Sequence, residues 1–200
     1  VTSTWARCLS ITTDSVAGRY LIGRGCTLPH PDGHLRWHPR CRHPSGHKGP
    51  ALVALVTHAV TAEPMTLHTT WLTVDGTGKA RLDKPRLLKS GYPKKGGVVR
   101  LWPDEEVNLG LAVAEGIETA LAAAVGFAPI WSCIDASNLG TLPVLDGIDC
   151  LTIVADHDPT GLKAAEACGR RWAEDGCEVR IWRSPVQGED FNDFLAGAAA

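Results

Sequence analysis

Between Asn108 and Ala200 short apolar runs alternate with amphipathic segments, and this alternation constrains the fold more than any other property of the chain. Leu111 to Ala114 is an apolar run too short for a helix, and Ile117 to Val125 is an alanine-rich helix stopped by Gly126. Ile130 to Ile134, Leu151 to Ala155 and Val179 to Trp182 read as three more strands. Gly161 to Asp175 carries apolar residues at 162, 165, 168 and 172 before Gly176, which is a helix with its stop signal, and Asp190 to Ala196 reads as a last short helix. Strands alternating with helices predict an α/β domain built on a parallel sheet with flanking helices and right-handed crossovers. Working residues in such sheets lie just past the carboxyl ends of the strands.

Residues 1–107 have a different texture, rich in Pro, Gly and His, and predict a smaller α+β region; the boundary is placed so that 108–200 forms the catalytic domain. HTTWLTVDGTGKARL, residues 68–82, centres on Asp75-Gly76, a dipeptide suited to a tight turn, and predicts an antiparallel hairpin. Leu52 to His58 is a strand feeding that sheet, and Gly25 to Pro50 reads as one long loop. The tryptophans at 37, 71 and 102 suit either stacking on bases or a core, and the scarcity of other large apolar residues here favours the core.

The net charge of -2 conceals an asymmetry. Residues 1–110 hold fifteen Lys/Arg against eight Asp/Glu and seven of the eight histidines, whereas residues 111–200 hold five against fourteen. A basic surface draws polyanions, and clustered carboxylates hold a divalent metal. No apolar run approaches the roughly 20 residues of a membrane helix, so no membrane partner is expected. The N-terminal residues do not read as a secretion signal, and seven widely spaced cysteines without a CxxC pair make a poor disulfide framework. Both points predict a cytoplasmic protein.

A carboxylate follows three of the four predicted strands of the acidic half: Glu115 in LAVAEGIETAL, Asp156 and Asp158 in LTIVADHDPTG, and Asp190 with Asp193 in GEDFNDFL. Residues two apart in an extended segment point to the same side, so Asp156 and Asp158 suit one shared ion. Hard oxygen donors select magnesium or manganese, which retain open positions for phosphate oxygens. Any one of these residues alone reads as a helix N-cap. The set points instead to phosphoryl or nucleotidyl transfer.

AEGIETALAAAVG, IVADHDPTGLKAA and GEDFNDFL, in that order, resemble the Toprim domain shared by bacterial-type primases, type IA and II topoisomerases and some nucleases. The resemblance implies a Rossmann-like sheet, with Glu115 as general acid or base in making or breaking a phosphodiester bond, or sharing the metal, and Asp156 and Asp158 coordinating magnesium, with Asp190 as a further metal ligand. Asp190 matches a further acidic position of primases. Glu118, one turn beyond Glu115, suits either the site or a solvated helix face. YLIGRG (20–25), LRWHPRCRH (35–43), VDGTGKARL (74–82) and KKGGVVRL (94–101) are similar to segments preceding the Toprim domain in primase-like proteins of phages, plasmids and integrated elements.

The resemblance implies single-stranded DNA and nucleotides as partners, with a replicative helicase or a separate zinc module supplied by other chains. Arg40, Arg42, Lys48, Arg86, Lys89, Lys94, Lys95 and Arg100 are the expected phosphate-binding residues. Primases often carry zinc ahead of the Toprim domain, but His38, Cys41 and His43 fit none of the usual tetrahedral ligand spacings and read better as part of a basic loop. GTGK at 76–79 lacks the first glycine and the Ser/Thr of a Walker loop. The expected activity is primer synthesis by nucleotidyl transfer; hydrolysis by the same carboxylates, or nucleic-acid binding without catalysis, are the alternatives. A topoisomerase needs a tyrosine nucleophile on a large separate domain, and the chain holds only Tyr20 and Tyr92.

Overall fold

A computed structural model describes residues 1–188 and 191. The elements in chain order are α1 (Thr2–Trp5), α2 (Val16–Gly23), β1 (Leu35–Arg42), β2 (Lys48–His58), β3 (Pro64–Trp71), β4 (Arg86–Leu88), β5 (Gly97–Arg100), β6 (Gly110–Ala114), α3 (Ile117–Phe127), β7 (Ile130–Ser132), α4 (Ala136–Gly140), β8 (Cys150–Ala155), α5 (Pro159–Glu174) and β9 (Glu178–Arg183), with a 3-10 turn at Asp104–Glu106. The strands join in one sheet of order β4-β3-β2-β5-β7-β6-β8-β9, with β1 paired to β2. The four strands of the second half, β7-β6-β8-β9, are parallel, and every pairing from β1 to the β5–β7 join is antiparallel. The α/β class with a parallel sheet, flanking helices and a preceding antiparallel region is therefore observed.

Side-chain alternation divides the core into layers. On β6, Ala112 and Ala114 face α3, whereas Leu111 and Val113 face α4 and α5 with Leu151 and Ile153 of β8. Ala120 to Ala124 are all buried, because small side chains let α3 press against the sheet and α2 together. That cluster also contains Tyr20 and Leu21 of α2 and Leu52, Ala54 and Val56 of β2, so the two halves of the chain share one core. On the opposite face Trp172 of α5 is fully buried against Ile153 and Leu151.

Three local expectations need correction. Gly25 to Pro50 is not one loop, because Leu35–Arg42 pairs antiparallel with β2, which begins at Lys48 rather than Leu52. The strand escapes period-2 reading because a bulge between His38 and Cys41 accommodates Pro39, which has no N–H for the ladder. The Asp75-Gly76 turn forms, with Gly76 at φ 78°, but past it only Lys79 bridges to Leu72; the partners of β3 are β2 and β4. Strand β7 ends at Ser132 rather than Ile134, since Ile134 has φ 75° and leaves the extended region. The helix expected at Asp190 to Ala196 lies outside the described residues but for Phe191, whose ring packs 4.4 Å from that of Trp182. Of the tryptophans, Trp71 is buried and Trp37 and Trp102 pack half-buried against the main core. No helix among the described residues is long and apolar enough to cross a membrane.

Candidate active site

Strands β6 and β8 are neighbours with Ala114 opposite Val154, so Glu115 and Asp156 leave the sheet side by side at its carboxyl edge. Glu115 is half-buried. Burial first, then the charges of Asp156 and Asp158, push its carboxyl up to about 7, although the Ala136 N–H donates to it. Asp158 caps α5, its Oδ1 accepting from Thr160 N at 2.7 Å and Gly161 N at 2.9 Å. The cap and the site are thus one arrangement: the cap aims the side chain while its charge still acts on Glu115. Gly161 is required by contact, since a Cβ there would stand 2.7 Å from the carbonyl oxygen of Asp156.

A fourth acid, Asp135, was not singled out in the sequence; it follows β7 and adds to the field on Glu115. Its Oδ2 pairs with Lys94 Nζ at 2.6 Å. The signal available was its place after the strand Ile130 to Ile134, the same logic that selected Glu115 and Asp156. Among the described residues no three Asp, Glu, His or Cys side chains form a ready-made metal cage. Magnesium commonly takes only one or two carboxylates and keeps its waters, so Glu115, Asp156 and Asp158 suit it as oxygen donors whose mutual repulsion a cation relieves. Asp190 and Asp193 lie outside the described residues.

A second cluster of charge lies one turn along α3 from Glu115, around Glu118. Glu118 is buried rather than solvated, and its Oε1 accepts from Tyr20 Oη at 3.0 Å and lies 3.4 Å from Lys79 Nζ, while Oε2 is 3.8 Å from Arg86. Burial pushes the Glu118 carboxyl up, but Lys79, Arg86 and the Tyr20 hydroxyl outweigh it and hold the group below its ordinary value. Burial, with Arg86 nearby, lowers His68 to about 4, so this imidazole is neutral at physiological pH. Lys79 was passed over because its GTGK context fails as a Walker loop, yet the turn delivers it to the same cluster.

The other expected phosphate ligands are placed unevenly. Arg40, Arg42 and Lys48 are exposed on the β1–β2 hairpin, at the opposite end of β2 from its pairing with β5. Lys95 is exposed, and Lys89 lies 5.4 Å over the Tyr92 ring. Arg100 must be reassigned, because the residue is 3% exposed and its guanidinium is turned inward. It donates to Thr57 Oγ1, to the carbonyls of His58 (3.2 Å) and Ala59 (2.9 Å) and to Asp104 (2.6 Å), and stacks 4.5 Å over Trp131. The zinc-type residues are likewise engaged. Cys41 packs with Ala51 and Trp71, the ring nitrogens of His43 meet Ser45 Oγ (2.7 Å) and Lys84 O (3.1 Å), and His38 Nδ1 accepts from Arg40 N (3.0 Å).

Comparison with known proteins agrees with this geometry. Residues 1–101 match the family described as Domain of unknown function (DUF7146), and residues 110–200 match the Toprim domain. No curated protein matches the chain. Among solved structures, the DnaG catalytic core is similar over 98% of this chain and 72% of its own, at TM-score 0.59 and 14% identity. A DNA primase domain from Pseudomonas aeruginosa is similar over 92% of this chain and 68% of its own, at TM-score 0.55 and 16% identity. The zinc-binding and RNA polymerase domains of the Aquifex aeolicus primase are similar over 94% and 54%, at TM-score 0.58 and 13% identity.

Proposed function

Because this chain belongs to the DUF7146 family and continues into a Toprim domain, we propose that it is a primase-like nucleotidyltransferase that extends nucleotides on single-stranded DNA with magnesium or manganese. One observation carries the reading: Glu115 and Asp156 leave adjacent parallel strands side by side at the carboxyl edge of the sheet, with Asp158 two residues on and close enough for its charge to act on Glu115. A divalent cation held by Asp156 and Asp158 would supply charge neutralisation for phosphate oxygens. Glu115, with its carboxyl raised to about 7, is poised to take the proton of an attacking hydroxyl near neutral pH. Lys79 and Arg86, paired with Glu118, and Lys94, paired with Asp135, would supply positive charge to phosphates on this reading. Arg40, Arg42, Lys48, Lys89 and Lys95 are surface contacts for a template backbone. On this reading a replicative helicase or a zinc module works together with these residues.

The test is incubation with magnesium or manganese, single-stranded DNA and labelled ribo- and deoxyribonucleotides, beside Glu115→Gln and Asp156→Asn. Short new oligomers lost in both variants support the reading. Shortened template reassigns the site to hydrolysis, and products that persist in both variants refute it.

A further inference from the structure

The segment joining β7 to α4 is built around Glu115. Ser132 Oγ donates to the carbonyl of Glu115 at 3.0 Å, and Cys133 N donates to that of Ala114 at 2.8 Å. Ile134 then takes φ 75°, a left-handed conformation unfavourable for a β-branched residue, with its N–H bonded to Ser132 Oγ at 3.2 Å. Two residues on, the backbone N–H of Ala136 favours the charged form of the Glu115 carboxyl, so the turn held against the Glu115 and Ala114 carbonyls also acts on the side chain. Strained backbone of this kind persists only where its surroundings fix it.

Asp135 and Asn138 do the fixing. Asp135 Oδ1 accepts from Asn138 N at 3.0 Å and caps α4, and Oδ2 holds Lys94. Asn138 is buried, and its side chain donates to the carbonyls of Lys94 (2.9 Å) and Gly97 (3.2 Å) while accepting from Gly96 N (3.2 Å). The turn presenting Ala136 N–H is thereby fastened to the loop before β5, on the other half of the chain.

We propose that Asp135 is a positioning residue for Glu115, acting through the turn it caps and not by touching a metal or a phosphate. The inference rests on the reading that Glu115 works in the reaction. Residues of this kind, one bond removed from the working group, commonly change metal affinity or activity by an order of magnitude.

The full chain is compared as wild type, Asp135→Ala, Asp135→Asn and Glu115→Gln, with Mn2+ affinity measured by electron paramagnetic resonance and primer synthesis followed against nucleotide concentration. Asp135→Ala is expected to weaken Mn2+ binding and lower kcat about tenfold, with little change in nucleotide KM. Asp135→Asn recovers most of both, because its amide oxygen still caps α4. If Asp135→Asn is as deficient as Asp135→Ala, the carboxylate acts directly and the positioning role is overturned. Unchanged Mn2+ affinity and kcat in a folded Asp135→Ala overturn it as well. Should Asp135→Ala not fold, Asp135→Gly removes the same side chain at smaller cost to the helix end and is read in the same way. Glu115→Gln that binds Mn2+ and synthesises like wild type refutes the function reading itself; if it fails while Asp135→Ala is fully active, only the positioning role falls. Should wild type make no primer, the Mn2+ affinities alone decide.

Discussion

Replacing Glu115 by glutamine is expected to stabilise the metal-free fold while removing its function. Glu115 titrates near 7 in the folded chain, against about 4.5 for an ordinary glutamate, because it is half-buried beside Asp156 and Asp158. Its folded form thus holds a proton more tightly than its unfolded form. The associated stability is complete below about pH 4.5 and is lost as pH rises through about 7. The full difference converts to about 3 kcal/mol; solvent access to a half-exposed carboxyl reduces it to about 1–2 kcal/mol. Glu115→Gln has no such charge, so with chelator at pH 8 it should melt about 3–6 °C above wild type, and at pH 4 the two should coincide. Circular dichroism melts at both pH values check this. Equal or lower stability of Glu115→Gln at pH 8 would show that the three carboxylates are not crowded together, and the argument for a shared cation would go with it.

Gly161→Ala should lower Mn2+ affinity and melting temperature together, because its Cβ would stand 2.7 Å from the Asp156 carbonyl; loss of neither is contrary to the described packing. Arg100→Met should cost about 1–3 kcal/mol in denaturant unfolding by leaving the buried Thr57 hydroxyl and the carbonyls of His58 and Ala59 without their donor, and should leave the salt dependence of DNA binding unchanged. Neutralising Lys79 and Arg86 together should reduce the slope of log affinity against log salt for single-stranded DNA by about 1.4, and an unchanged slope removes them from the phosphate path. Magnesium at a hundred times its dissociation constant should stabilise wild type by about 2.7 kcal/mol in unfolding titrations, and Asp156→Asn should show little of this gain.

The second half of the chain was legible because β6, β7 and β8 are largely buried and an acidic residue follows each of them, which at α4 and α5 also caps the next helix. Glu115, Asp156 and Asp158 could be read for that reason. The first half was less legible. Strand β1 carries Pro39 and charged residues within a bulged ladder, and β4 and β5 are short, with pairing fixed by β2 and β3 rather than by their own sequence. Asp135 and Lys79 reach the site through tertiary placement, one by a left-handed turn and the other by a hairpin. Arg100 and Glu118 show the complementary difficulty: whether a charge is solvated or buried depends on partners distant in sequence, Thr57 and Asp104 for one, Tyr20, Lys79 and Arg86 for the other.

The β5 strand joins the two regions of sheet by two residue pairs on each side: Thr57 with Val98 and His58 with Gly97, then Val99 with Ser132 and Arg100 with Trp131. Within the sheet that seam is narrow, and Arg100 spans it, bonded to the end of β2 on one side and stacked on β7 on the other. Strain along the sheet therefore crosses through four backbone pairs and that guanidinium, and off the sheet through the core that α2, β2 and α3 share and through the bonds of Glu118, Asp135 and Asn138 to the first half.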